Sequence, residues 1–365
     1  MASVGTIAEY LDQFAPYHLA ADWDNVGLLL GDRSALVQRI MTCLTVTPEV
    51  AREAIESKIQ LIVTHHPILF RPIQRLITDT PEGRMLLSLI QAGVAVFSPH
   101  TAFDNTAGGI NDALAKRLDL VDVVPLRCRE GIRQCKIVVF VPESDLAQVS
   151  DAMFEAGAGR IGEYSQCSFR TAGTGTFFGS DAANPTIGQK GRREEVSEWR
   201  LEVVCPESRL QAVVAAMRQA HSYEEPAYDA YPLQPGTCGE GRLGRLSSPV
   251  SLEKLAQKAK EVLNANHVQI IGDPTGQVES VAVACGAGGE FLMDAVRANA
   301  DVFVTGEVRF HDYLAAQAHN LALVLPGHFA TERFGVEELA ERLQQQFPEL
   351  QLWPSNSETD PVHWL

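Results

Sequence analysis

The chain has 365 residues, enough for roughly two domains with substantial cores. Its formal net charge of -16 argues against general nucleic-acid binding, because no basic run is present to neutralise a phosphate backbone. Seven scattered cysteines (Cys43, Cys128, Cys135, Cys167, Cys205, Cys238, Cys285) include no CxxC pair, which indicates neither a disulfide framework nor a thiolate zinc site.

The first residues lack a basic and apolar leader, and no stretch reaches the ~18 apolar residues of a membrane span, so a soluble cytoplasmic protein is expected. Thr6 can cap a first helix in which Ile7, Tyr10, Leu11 and Phe14 fall at helical spacing. Residues 22–32 read as an Asp/Asn-rich turn feeding a short strand. Residues 40–46 form a strand, Thr47-Pro48-Glu49 opens a helix, and an apolar run over residues 59–63 forms the next strand of a βαβ unit. That run lacks polar alternation, as in a strand covered on both faces, and it ends in His65-His66-Pro67. In open α/β sheets ligands bind beyond the carboxyl ends of strands. Pro67 turns the backbone, so the two imidazoles can serve two ions about 3.5–4 Å apart. Equally, one histidine can be a core residue and the other bonded to the turn. Residues 86–92 read as a helix and 94–97 as a strand, which leads to His100 and Asp104 at a second strand tip.

An internal repeat follows, in which residues 136–146 return as 200–210. Each copy reads as a strand, a Ser-capped turn and a helix. With residues 164–170 and 227–232 as further strands, the pattern predicts a ferredoxin-like module beginning and ending on neighbouring antiparallel strands. Residues 173–195 are expected to be a hairpin excursion or a mobile loop. Beyond residue 244 the α/β rhythm resumes, with Ser251 capping a helix and strands at 280–284, 302–305 and 321–325. The Gly286 to Gly289 loop fits close backbone packing or an anion cradle, without a P-loop ending. His328 and Glu332 follow the last strand and are four apart, on one helical face.

Three strand tips therefore offer His65/His66, His100/Asp104 and His328/Glu332. Mixed imidazole and carboxylate donors suit zinc, manganese or iron better than calcium or magnesium. Each pair taken singly also fits an ordinary surface or core feature.

The combination of Trp23-Asp24-Asn25-Val26-Gly27-Leu28, Thr64-His65-His66-Pro67, His100-Thr101 with Asp104, Thr305-Gly306-Glu307 with His311-Asp312, and Gly327-His328 with Glu332 resembles the Nif-three-like family. Its members often carry the label GTP cyclohydrolase 1 type 2 homologue. The middle of the chain resembles the PII/CutA-like insert of the family's longer bacterial members through Gly162-Glu163-Tyr164, Cys167-Ser168-Phe169, Asn184-Pro185 and residues 221–228. Two positions depart from the family pattern: Thr45 stands where Asp is common, and Ser222 where Pro is usual.

The resemblance implies an α/β fold, a three-layer αβα domain formed by residues 1–127 and 237–365, with a ferredoxin-like α+β domain inserted at 128–236. It implies two divalent ions per subunit, zinc first and manganese or iron as alternatives. His66 and Asp104 would hold one ion, His65 and His328 the other, and Glu332 would bridge them. It also implies a ring-shaped homohexamer with a small-molecule ligand. The function expected is metal-dependent hydrolysis of a nucleotide-like or phosphate-containing small molecule, with His100 as a proton shuttle or as the residue that orients Asp104. The alternative is a non-catalytic metal-binding sensor that uses the insert.

Overall fold

A computed structural model of the chain describes residues 2–130, 134–161, 164–233 and 237–363. Gly162 and Glu163 of the insert motif lie outside the described residues. The chain divides into one unit formed by Met1–Arg129 with Thr237–Leu365 and a second formed by Glu130–Gly236.

The first unit is a mixed α/β structure with two sheets. One runs in the order Gly27–Leu30, Ala95–Ser98, Leu61–Thr64, Arg39–Cys43, Gln351–Pro354, parallel except for its first strand. The other runs Gln269–Ile271, Ala322–Leu325, Val302–Glu307, Gln277–Ala287, Thr237–Ser251, Val121–Glu130. The apolar strands are covered on both faces because neighbouring residues point oppositely. Leu61 and Val63 enter a core shared with Val281, Val302 and Val324 of the second sheet and with Leu114, Leu255 and Leu339 on helices. Ile62 points the other way, against Val50, Ala54 and Leu89. In the second sheet, Ala282 and Phe303 face Leu292, Ala295 and Ala316 on its far side. Each sheet therefore has helices on both faces, and the middle helices serve both. The resemblance implies a three-layer αβα domain; the described residues form two sheets that share one helical layer, an arrangement that one-dimensional periodicity does not encode.

Element starts differ where capping chemistry was misread. The first helix, Val4–Phe14, is capped by Ser3, whose Oγ accepts from the Thr6 amide at 3.1 Å. Starting there brings Val4, which a start after Thr6 would leave outside the helix, into the buried face with Ile7, Ala8 and Leu11. Thr80 and Pro81 open the helix Pro81–Gln91 earlier than its apolar spacing indicates. Beyond the tip of the strand Ala95–Ser98, His100 begins a short helix, His100–Asn105.

The second unit is one antiparallel sheet in the order Phe169–Phe178, Arg193–Pro206, Gln134–Val141, Tyr228–Pro232. Helices Leu146–Glu155 and Leu210–Ala220 cover one face, burying Ile137, Val139, Leu201 and Val203 against Val149, Met153, Val213 and Met217. The repeat thus appears as two strand-helix copies. Neither helix is Ser-capped: short 3-10 turns, Glu143–Asp145 and Glu207–Arg209, lead in with backbone already helical and leave no side chain placed to accept. The strand expected over 164–170 begins only at Phe169, and the hairpin it forms turns through residues 179–192.

Candidate metal centre

The strand Leu61–Thr64 delivers the histidine pair, and its end is pinned. The His65 and His66 amides donate to the Cys43 and Leu44 carbonyls at 3.0 and 2.8 Å, and Ser98 Oγ donates to the His65 carbonyl at 2.6 Å. His65 is buried with a side chain 1% exposed, whereas His66 is 28% exposed. From the neighbouring strand end comes Asp104, whose Oδ1 lies 3.6 Å from His65 Nε2. The second sheet contributes His328 and Glu332. His328 is the first residue of the helix His328–Gln346, and Gly327 before it sits at φ 107°, a left-handed backbone suited to glycine. The i,i+4 spacing places His328 Nε2 3.0 Å from Glu332 Oε2, although the two are not aligned as a hydrogen bond.

Glu332 is where the two sheets' residues meet. Its Oε2 lies 3.1 Å from His66 Nε2 and its Oε1 lies 3.8 Å from His65 Nε2. His66 and His328 thus gather on one carboxylate oxygen, with His65 beside the other. The resemblance divides the same five residues differently, and Glu332 is central in both divisions. Donor atoms of His66, His328 and Glu332 all lie within 4.8 Å of one another, as do those of His65, His66 and His100.

The charges respond to this crowding. Burial opposes ionisation of Glu332, but His65, His328 and His66 outweigh it and hold the carboxyl well below its usual range. Burial also opposes charging of His328, yet Glu332 and Glu307 push it up to about 9. Burial lowers His66, with the neighbouring His65 adding to the effect, and burial raises Asp104. Three histidines and two carboxylates thus compete for protons around one point.

The fit to a metal is seen at His65. Both of its ring nitrogens are buried without a hydrogen-bond partner, which is costly for an imidazole in a core. Nε2 faces the two carboxylates at distances too long for direct hydrogen bonds. A cation among these donors would satisfy Nε2 and the carboxylates together.

Other residues stand behind the cluster. Thr45 Oγ1 lies 2.7 Å from His66 Nδ1, Glu307 Oε1 lies 3.0 Å from His328 Nδ1, and Cys285 Sγ lies 3.4 Å from Asp104 Oδ1. His100 Nδ1 pairs with Asp24 Oδ1 at 2.8 Å. In the sequence, Thr45 stands out only as a departure from the family pattern, and Asp24 and Glu307 only as members of the motifs that carry the resemblance. The Gly286 to Gly289 loop is a packing loop: a Cβ at Gly286 would run into Glu332 Oε1, and one at Gly288 into Thr305 Oγ1. His311 is exposed on the helix Phe310–Ala318, while Asp312 accepts from the Arg309 amide at its start.

Fold and site together define an α/β protein whose strand ends gather a histidine and carboxylate cluster able to hold a metal. The chain belongs to the Duf34/NIF3 (NGG1p interacting factor 3) family, whose profile matches residues 2–361. It is 38% identical over 370 residues to a Halalkalibacterium halodurans protein named GTP cyclohydrolase 1 type 2 homolog, with 100% of both chains covered. A Bacillus subtilis protein of the same name is 37% identical over 365 residues, 98% of each chain. Among solved structures, a Bacillus cereus protein related to NIF3 superposes with a TM-score of 0.82 at 34% identity, covering 100% of this chain and 99% of that one. A Staphylococcus aureus protein gives a TM-score of 0.78 at 26% identity, with 100% and 99% covered. No helix among the described residues is long and apolar enough to cross a membrane.

Proposed function

We propose that His65, His66, Asp104, His328 and Glu332 hold two divalent ions, zinc first and manganese or iron as alternatives, and that the protein is a metal-dependent hydrolase. Its substrate is a nucleotide-like or phosphate-containing small molecule. The observation that carries this reading is His65, fully buried with unpartnered nitrogens opposite two carboxylates drawn from both sheets. Bound ions of this kind acidify a water and polarise a substrate oxygen.

The chain's own residues prepare that chemistry. Thr45 and Glu307 engage the far nitrogens of His66 and His328, leaving each Nε2 directed at Glu332. Asp104 and Glu332 supply the anionic charge that a pair of cations needs. Asp24 holds Nδ1 of His100, so Nε2 is the nitrogen free to exchange a proton with substrate or solvent. The name carried by the relatives, GTP cyclohydrolase 1 type 2 homolog, agrees with a nucleotide-like substrate.

The test is turnover of a nucleotide and phosphoester panel by protein purified without chelator. We expect hydrolysis that depends on zinc or manganese, is lost on chelation and returns on adding metal back. A second reading, a metal-binding sensor, draws on the second unit. There a cavity of about 860 Å³ is lined by Phe140, Glu198, Arg200 and Tyr223, among others. Ligand binding without turnover of any panel member would favour that reading and exclude the hydrolase.

We also propose that the second unit is a ferredoxin-like module inserted into the metal-binding domain. The strands that flank it, Val121–Glu130 and Thr237–Ser251, are neighbours in one sheet, so their facing ends are separated by about 5 Å. Replacing residues 131–236 with a short Gly/Ser linker is therefore expected to leave a folded protein with its metal content intact. Loss of the metal from a folded deletion protein would contradict the modular reading.

A further inference from the structure

Beside the metal-ligand cluster lies a feature that metal binding does not require. Trp23 is 58% exposed and Phe70 47% exposed, with ring centroids 5.8 Å apart. Trp23 is also 6.1 Å from the His100 ring, which in turn lies 5.2 Å from His65 and 5.7 Å from His66. Two exposed aromatic rings in contact beside a few convergent polar groups are the surface composition of a small-molecule site.

The segment bearing Trp23 is anchored on both sides. Asp24, with a fully buried side chain, accepts from the Thr101 amide at 3.2 Å and from Thr101 Oγ1, and pairs with His100. The Ala21 amide donates to Thr101 Oγ1 at 2.9 Å, and Asn25 Nδ2 donates to the Leu69 carbonyl beside Phe70. Residues on either side of Trp23 are thus tied into the site while its own ring is left outside. Its ring contacts with Phe70 and His100 are both edge-to-face, at 60° and 71°. No parallel stacking partner occupies Trp23 among the described residues. A rigidly held aromatic face next to polar catalytic groups is the arrangement that binds planar rings by stacking.

We propose that Trp23 and Phe70 form a stacking platform at the mouth of the metal centre, and that the substrate carries a planar heteroaromatic ring of nucleobase type. The proposal rests on the hydrolase reading of the same site and narrows it: a phosphate ester without such a ring is a poor ligand. Stacking on Trp23 sets the ring one imidazole away from the metal ligands, which places the ring or its immediate substituents at the reacting centre.

The test uses the full-length protein with its metal content measured, and calorimetric binding of guanosine monophosphate, adenosine monophosphate and ribose 5-phosphate. Base stacking on an aromatic side chain contributes enough for the two nucleotides to bind at least about tenfold more tightly than the sugar phosphate. Trp23→Ala should erase that preference, Trp23→Phe should keep most of it, and Phe70→Ala should reduce it, all at unchanged metal content. Equal binding of the three ligands to the wild type, no binding by any, or a preference that survives Trp23→Ala would each overturn the platform. So would a Trp23→Ala protein whose mass by light scattering falls while ring-bearing and ring-free ligands bind the wild type alike, because the ring then serves a subunit contact. Ring-dependent binding without turnover of the panel leaves the platform standing and removes the hydrolase reading; turnover without ring preference does the reverse.

Discussion

Glu332→Ala is expected to empty the metal centre without unfolding the protein. Glu332 is the carboxylate on which His65, His66 and His328 converge from two sheets, so its removal withdraws the anion that all three of these histidines face. Loss of a residue that merely supports a ligand typically costs 10–100-fold in affinity; for a shared ligand at least about 100-fold is expected. The fold should tolerate the change because Glu332 sits in the first turns of the helix His328–Gln346 and its carboxylate faces the imidazoles of His65, His66 and His328. His66→Ala, which removes a partly exposed proposed ligand, should weaken binding less. Metal content per chain, with circular dichroism on both variants and the chelated wild type, separates the possibilities. Two ions retained by Glu332→Ala at wild-type affinity would refute a shared carboxylate, and an unfolded variant would assign the residue a structural role.

Gly286→Ala is expected to damage the same centre from behind. Gly286 sits at φ +62°, and a Cβ there would collide with Glu332 Oε1 while also approaching His328 Nε2 at 3.3 Å. The left-handed backbone alone costs roughly 1–2 kcal/mol for a residue with a Cβ. For a chain of 365 residues that corresponds to a fall of only about 1–3 °C in melting temperature. The collision adds a displaced carboxylate, so metal affinity should drop alongside stability. Gly93→Ala supplies the control: its φ is +70° but nothing lies within 4 Å of the added Cβ. It should lose stability and keep its metal. If Gly286→Ala also keeps full metal affinity, Glu332 can move without loss and its position does not limit metal binding.

Much of this architecture is legible in the sequence for a physical reason. Continuous apolar runs such as Leu61-Ile62-Val63 are required of strands covered on both faces, and a strand's end is marked where His65, His66 and Pro67 interrupt the run. The His328 and Glu332 pair is equally local, since four residues on a helix bring side chains together whatever the rest of the chain does. The repeat of residues 136–146 and 200–210 likewise forecast two paired strands and two helices on one sheet.

What only the tertiary structure decided is everything joined across long stretches of chain. Glu332 meets His66 across 266 residues, Asp24 meets His100 across 76, and Thr45 reaches His66 across 21. Hydrophobic periodicity specifies which face of an element is buried, but not which other element buries it. Periodicity therefore leaves open that two sheets share one helical layer. Capping was a similar case: whether Ser3 or Thr6 starts a helix depends on which first turn the core can accept. The exposed ring of Trp23 was legible only as part of a motif. Its position between Phe70 and His100 follows from the buried Asp24 and the Asn25 bond to Leu69, contacts that exist once the strand ends have been brought together.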